Sequence, residues 1–249
     1  MSRPKVEVLI HPVTLRFRLH DDELVYLFAA HPDQQLDGME HMLGVDPDGP
    51  EPIFRTNVGF LPTASTVLIR GERNLIVDPG NAHIGNYGMV YHALQKRGLH
   101  IGDIDAIALT HGHSDHAAAL LQFKGKPWFV GKGELDEMAA LEGAPIVAAK
   151  REMMGALTEV DGVVQIMPGV TAYSTPGHTA GHISFLVETD EGRVLIAGDQ
   201  AMTRSEYVER KFSQWYGPET LAQLNASLDL VQALKPDLVI PGHDRPFKP

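Results

Sequence analysis

Five apolar runs in this chain each give out into a histidine or an aspartate. Leu75–Val77 ends on Asp78. Ile104–Leu109 leads through Thr110 to His111. Val170–Tyr173 leads through Ser174-Thr175-Pro176-Gly177 to His178. Val194–Ala197 and Gly198 lead to Asp199, and Leu238–Ile240 leads through Pro241-Gly242 to His243. Short aliphatic, β-branched runs bounded by Gly and Pro read as strands. In α/β folds, ligands collect where the carboxyl ends of strands open into loops. Packing has no reason to place a titratable side chain at five such ends. The pattern therefore calls for stacked sheets with a polar site along one edge.

The densest part of the pattern is His111-Gly112-His113-Ser114-Asp115-His116. Neutral imidazole and carboxylate are both good zinc ligands. Two histidines one residue apart cannot share a helix face, but in a loop both can turn inward. Four donors within six residues exceed what one tetrahedral ion takes, so two ions are implied. The chain has no cysteine, so thiolate zinc sites, disulfide scaffolds and thiol catalysis are excluded. Pro176-Gly177-His178 and Pro241-Gly242-His243 are near-repeats in the two halves, and tight Pro-Gly turns aim an imidazole back over strand ends. Asp78, in Val77-Asp78-Pro79-Gly80, suits a role in orienting a ligand histidine or the hexapeptide.

Between these points, residues 66–69 and 75–77 read as a hairpin around Gly71-Glu72-Arg73, and 183–188 and 194–197 as another around Asp190-Glu191-Gly192. Further strands are expected at 128–130 and 163–166. Helices are expected at 89–97, stopping at Gly98, and at 117–122, 134–141 and 218–234. Hairpins and helices in alternation imply a four-layer αββα sandwich formed by one domain spanning residues 1–249. Residues 31–63 hold five prolines and four glycines and read as an irregular arm or loop.

A formal net charge of −11 disfavours nucleic acid as a partner, although cations in a cleft would reverse the local field. The N-terminal run Val6–Ile10 is too short for a signal segment, and no stretch approaches the ~18 apolar residues of a membrane span. The expectation is a cytoplasmic protein with a small-molecule substrate.

The order Asp78, His111-x-His113-x-Asp115-His116, His178, Asp199, His243 resembles the five-motif signature of the metallo-β-lactamase-fold hydrolases. The resemblance covers roughly residues 60–246. It implies that His111, His113 and His178 hold one zinc, that Asp115, His116 and His243 hold the other, and that Asp199 bridges them. Iron or manganese are alternative metals. Two such ions share a water and lower its pKa, and the resulting hydroxide attacks a carbonyl or phosphoryl centre. Asp115 can also carry a proton to the leaving group.

Departures from the family's branches narrow the substrate. Asp199 is kept where true β-lactamases replace it, and no glutathione-binding extension follows His243. Lactonases of the acyl-homoserine-lactone type often carry a tyrosine three residues after the bridging aspartate, where this chain has Met202. The favoured substrate is a lactone, ester or thioester. The alternatives are a phosphodiesterase or nuclease on the same two metals, a mononuclear iron persulfide dioxygenase, and a non-catalytic metal-binding module. Tyr207, Phe212, Trp215 and Tyr216 concentrate between Asp199 and the last helix in a chain that is only 7% aromatic. They are expected to wall an apolar pocket, together with the 31–63 arm, or else to pack on the core or form a homodimer contact.

Overall fold

Strict alternation along short strands builds the layers. The computed structural model describes residues 3–12, 14–20, 23–29, 57–62, 64–80, 87–213 and 215–249. In chain order the strands are β1 (Lys5–Ile10), β2 (Thr14–His20), β3 (Glu23–Ala29), β4 (Asn57–Pro62), β5 (Thr66–Arg70), β6 (Asn74–Val77), β7 (Ala106–Ala108), β8 (Trp128–Gly131), β9 (Leu157–Val160), β10 (Val163–Met167), β11 (Val170–Ser174), β12 (Ile183–Thr189), β13 (Gly192–Gly198) and β14 (Leu238–Pro241). The helices are α1 (Tyr87–Gln95), α2 (Ser114–Ala117), α3 (Glu134–Glu142), α4 (Ala144–Met153), α5 (Arg204–Glu209) and α6 (Pro218–Ala233).

One sheet has the order β1-β5-β6-β7-β8-β9, and the other β10-β11-β12-β13-β14. Side chains on a strand alternate between its two faces. Val67, Ile69, Leu75, Val77, Ala106, Ala108 and Phe129 of the first sheet meet Ala172, Ile183, Phe185, Val187, Val194, Ile196 and Ile240 of the second. The residues between them face outward. Leu68, Ile76, Ile107, Trp128 and Val130 are covered by Val90 and Leu94 of α1 and by Leu120 and Phe123. Leu195, Ala197 and Val239 are covered by Leu228 and Val231 of α6. The result is an αββα sandwich. Each fully buried aliphatic or aromatic side chain contributes about 1.5–3 kcal/mol of transfer free energy. No helix among the described residues is long and apolar enough to cross a membrane.

Several local expectations change. Residues 57–62, inside the segment expected to be irregular, form β4. It pairs antiparallel with β2, which also pairs with β3, giving a third, three-stranded sheet. The partner lies some forty residues away, so no local pattern announces it. The rest of that segment, with His31 and His41, lies outside the described residues, as does His83. The helix expected at 117–122 is instead α2 at Ser114–Ala117 followed by a 3-10 turn at Leu120–Phe123. Asp115 and His116 are therefore helical rather than in a loop. The backbone N–H of Ala119 donates to Pro79 O at 2.8 Å, which interrupts the helix there. Helices α4 and α5 and strand β9 were not anticipated.

Candidate metal centre

Strands β6, β7 and β8 run parallel to one another, as do β13 and β14, so several chain segments leave the sandwich at a common edge. Asp78 follows β6 directly. Its Oδ1 accepts the Thr110 N–H at 2.7 Å and its Oδ2 the Thr110 hydroxyl at 2.7 Å. The same Oδ2 lies 2.9 Å from His116 Nδ1. A carboxylate accepts only, so Nδ1 carries the ring proton and Nε2 is left as the ligand atom. Asp78 has φ 54, in the left-handed region uncommon for a residue with a side chain. Backbone strain of this kind is held where the surroundings over-determine it, here by three bonds to one buried carboxylate.

The hexapeptide splits between loop and helix. His111 and His113 lie before α2, and the His113 carbonyl accepts the N–H groups of His116 and Ala117 at 3.0 and 2.9 Å. That first helical turn carries Asp115 and His116. Asp199, at the end of β13, sits among the imidazoles. Its Oδ2 lies 3.3 Å from His178 Nε2, 3.3 Å from His243 Nε2 and 3.8 Å from His111 Nε2. Its Oδ1 lies 3.2 Å from His116 Nε2. Asp115 Oδ2 is 3.3 Å from His243 Nε2, and His178 Nε2 is 3.0 Å from His113 Nδ1. Glycine is needed at position 242, because a Cβ there would stand 2.0 Å from Asp199 Oδ1.

Three groups of donors emerge: His111, His113 and His178; His111, His116 and Asp199; and Asp115, His116 and His243. Within each, the ligand atoms lie within 4.8 Å of one another. Seven residues expected as ligands thus meet in one cleft, with Asp199 facing both ends. The donor set fits divalent cations. His111 Nε2, His116 Nε2 and Asp199 Oδ1 are buried and make no hydrogen bond, even though the last two are close. A buried polar atom without a partner costs ~1–3 kcal/mol, and a cation that all three face would remove that cost.

Charge balance divides the imidazoles. Burial holds His111 well below its ordinary range and brings His178 down to about 4, so both stay neutral and ready to ligate. Burial acts the same way on His116 and His243, but the carboxylates beside them, Asp199 first, outweigh it and raise both. Burial would raise Asp199, yet the neighbouring His243, His116 and His178 hold it well below the usual carboxylate range.

Two supporting residues complete the frame. His182 is buried; its Nε2 accepts the Asp199 N–H at 3.1 Å and its Nδ1 meets Thr175 Oγ1 at 2.8 Å. Glu134, the first residue of α3, was not singled out from the sequence. It is fully buried, and burial raises its pKa. Its Oε1 accepts the Gly112 N–H at 2.6 Å, between His111 and His113. Its Oε2 accepts the Thr179 hydroxyl at 2.7 Å, beside His178. One carboxylate therefore ties the ligand loops of the two sheets together. Gly112 must be glycine, since a Cβ would meet Met138 Cγ at 2.0 Å. The only local signal for Glu134 was an acidic residue opening a helix just past a strand.

Glu134→Ala is expected to weaken metal binding by about 10–100-fold, as loss of a group that orients ligands does. Glu134→Gln should restore most of it, because the amide oxygen still accepts from Gly112 while the Thr179 hydroxyl can turn to accept from the amide NH2. Chelator-competition titration of both variants checks this. Equal affinities for Ala and wild type would remove Glu134 from the site.

The aromatic residues expected at a pocket separate. Tyr207 is buried in the outer core, 5.6 Å from the Phe247 ring, and burial pushes its phenol up to about 12. Phe212 packs against the same cluster. Both belong to the α6 side of the second sheet, a correction forced by the turn of α5. Tyr216 reaches the site: its hydroxyl is 2.6 Å from His178 Nδ1. Trp215 is 51% exposed and stands edge-on to Tyr216 at 6.0 Å.

Known proteins share this frame. The chain is 28% identical over 240 residues to metallo-beta-lactamase domain-containing protein 1 of Xenopus laevis, covering 90% of this chain and 89% of that one. It is 28% identical over 159 residues to the N-acyl homoserine lactonase of Bacillus thuringiensis, a match spanning 62% of each. A solved N-acyl homoserine lactone hydrolase, with the product N-hexanoyl-L-homoserine at its catalytic metal centre, superposes with a TM-score of 0.66 at 21% identity, over 98% of this chain and 94% of that one. The model of the metallo-beta-lactamase superfamily matches residues 58–243, a span that includes Asp78 and all seven candidate ligands, and the chain belongs to that superfamily.

Proposed function

We propose that this metallo-hydrolase is a dinuclear zinc enzyme that adds water across the acyl C–O or C–S bond of a lactone, ester or thioester, giving a carboxylate and a free alcohol or thiol. The observation that carries the reading is the Asp199 carboxylate lying between two histidine groups whose inward nitrogens include buried atoms with no hydrogen bond. Divalent ions supply Lewis acidity, polarising a carbonyl oxygen and making water acidic enough to serve as a nucleophile near neutral pH.

The chain's own residues do the rest. Asp78, Glu134 and His182 hold the candidate ligand side chains and loops in place before substrate arrives, through hydrogen bonds to Thr110, His116, Gly112, Thr179 and Asp199. Asp115 is the more open of the two carboxylates in the cleft, its side chain 13% exposed against 4% for Asp199. It is the group placed to take a proton and pass it to a leaving oxygen, nitrogen or sulfur. Met202 is buried and has no side-chain proton to donate to a carbonyl, and Tyr207 is committed to the core. Among the described residues, the phenol that reaches a candidate ligand is that of Tyr216. Exposed Trp215 beside it offers a face for an acyl chain or ring.

Phosphodiester substrates are less well served. Arg210 is bound to Asn225, Asp229 and Gln232, Lys211 pairs with Glu209, and Arg204 lies over the Phe247 ring. These are the basic residues between Asp199 and α6, and each is engaged away from the cleft. Similarity to a lactonase points the same way for the carbonyl class.

The test is a metal count on purified protein beside a screen of lactones, thioesters, β-lactams and phosphodiesters. Two zinc equivalents and chelator-sensitive turnover of a lactone or thioester are expected. Phosphodiesters turned over tenfold faster than any carbonyl substrate would sink the substrate class, and a single bound iron would favour the oxygenase chemistry. Trp215→Ala should shift the preference among acyl-chain lengths with little change in metal content. An unchanged chain-length profile would exclude Trp215 from the pocket.

A further inference from the structure

His178 is the most exposed of the four imidazoles that face Asp199. Its side chain is 11% exposed, against 0% for His111 and His116 and 3% for His243. The cleft thus reaches solvent beside His178 as well as beside Asp115, whose side chain is 13% exposed. Its Nε2 points inward, toward Asp199 Oδ2 at 3.3 Å and His113 Nδ1 at 3.0 Å. Its Nδ1 points outward, to the Tyr216 hydroxyl at 2.6 Å. A neutral imidazole carries one proton. When Nε2 serves as a ligand atom the proton resides on Nδ1, and the phenol oxygen of Tyr216 accepts it. Without a cation, Nε2 and His113 Nδ1 can share a proton instead, and the bond to Tyr216 has no required direction.

Tyr216 belongs to the short connection between α5 and α6. Its backbone N–H closes a turn onto Ser213 O at 3.3 Å, and its ring is the edge-on neighbour of Trp215. The hydrogen bond to His178 thus ties this aromatic turn to the cleft.

We propose that Tyr216 is a positioning residue that couples cation occupancy at His111, His113 and His178 to the placement of Trp215, the exposed ring beside it. The proposal rests on the reading of those histidines as metal ligands. It makes the aromatic wall for substrate something that metal loading assembles, and it assigns specificity to the turn as well as to the residues around it.

The chain supplies its own reporter. It has two tryptophans. Trp128 is fully buried beneath the helices, and Trp215 is exposed. The experiment titrates the metal-free protein with Zn2+ while following tryptophan emission and acrylamide quenching, with bound zinc counted separately. Wild type should show a change in emission and reduced quenching as zinc fills the site, and Trp215→Phe should abolish both, assigning them to that residue. Tyr216→Phe should bind zinc on the order of tenfold more weakly, the effect of losing a partner to a ligand histidine. At saturating zinc it should retain less than half of the emission change. His178 would then keep its metal while the turn no longer follows it.

A Tyr216→Phe protein with wild-type zinc affinity and the full emission change overturns the coupling. So does wild-type protein that counts two zincs with no change at Trp215. A wild-type protein that binds no zinc overturns the metal reading itself, and the proposal with it.

Discussion

Asp199→Asn is expected to lower bound metal from two equivalents per chain to one or fewer and to slow hydrolysis by about 10³-fold or more, the upper range for losing one preorganised electrostatic contact. The reason is geometric. Asp199 Oδ2 stands 3.3 Å from both His178 and His243, one from each end of the site, and Oδ1 stands 3.2 Å from His116, so the one carboxylate reaches both ends. An amide of the same shape keeps one oxygen and replaces the other with a donor that no metal can use. It also removes the negative charge that would neutralise two cations. The backbone should be spared, because the Asp199 N–H to His182 Nε2 bond does not involve the side chain. Elemental analysis, turnover and a thermal melt on the same sample separate loss of metal from loss of fold. Two retained equivalents with normal turnover would remove Asp199 from the bridging position.

Metal removal should have the larger effect on stability. A ligand present at a thousand times its dissociation constant stabilises the folded state by ~4 kcal/mol. In a chain of this size 1 kcal/mol moves the melting temperature by about 2–4 °C, so chelation should lower it by roughly 8–16 °C and abolish turnover. Both should return on adding zinc. The metal-free cleft is costly because it confines buried imidazoles around a carboxylate and leaves His111 Nε2, His116 Nε2 and Asp199 Oδ1 without hydrogen bonds. Unchanged melting after verified metal loss would show that the cleft is satisfied without cations.

Acidification should strip the two ends in order. Protons compete with metal at a histidine once the pH falls to its folded pKa. His116 and His243 are raised, because Asp199 and Asp115 outweigh the effect of burial, so protons win there first. His111 is held well below its ordinary value and His178 at about 4, chiefly by burial, so metal at that end survives to lower pH. Metal content measured by step dialysis from pH 8 to pH 5 should fall through a plateau near one equivalent. A single concerted loss would show that the two ends do not titrate separately.

Much of the site was legible in the sequence. Short apolar runs bounded by Gly and Pro placed most strands of the two facing sheets. The polar residue ending each run marked the edge where the site lies, because a side chain just past a strand must enter the space above the sheet. Asp78, His111, His113, Asp115, His116, His178, Asp199 and His243 could all be named from that rule and the hexapeptide. Local pattern failed where the deciding partner is distant. β4 looked irregular because β2, which it pairs with, lies some forty residues earlier. Glu134 looked like an ordinary helix start, because its partners Gly112 and Thr179 are 22 and 45 residues away. Tyr207 and Tyr216 looked equivalent, nine residues apart in one aromatic segment. The turn of α5 sends the first into the core and leaves the second against His178.

The sequence by itself determined the layered fold, the donor types and the chain positions from which they come. Those follow from local chemistry: hydrophobic period, turn residues, and the preference of cations for imidazole and carboxylate. Tertiary structure alone decided which donors face each other, which carboxylate stands between them and which aromatic ring touches a ligand. Those are contacts between segments far apart in the chain, set by how two sheets pack face to face and by where their connecting turns are forced to run.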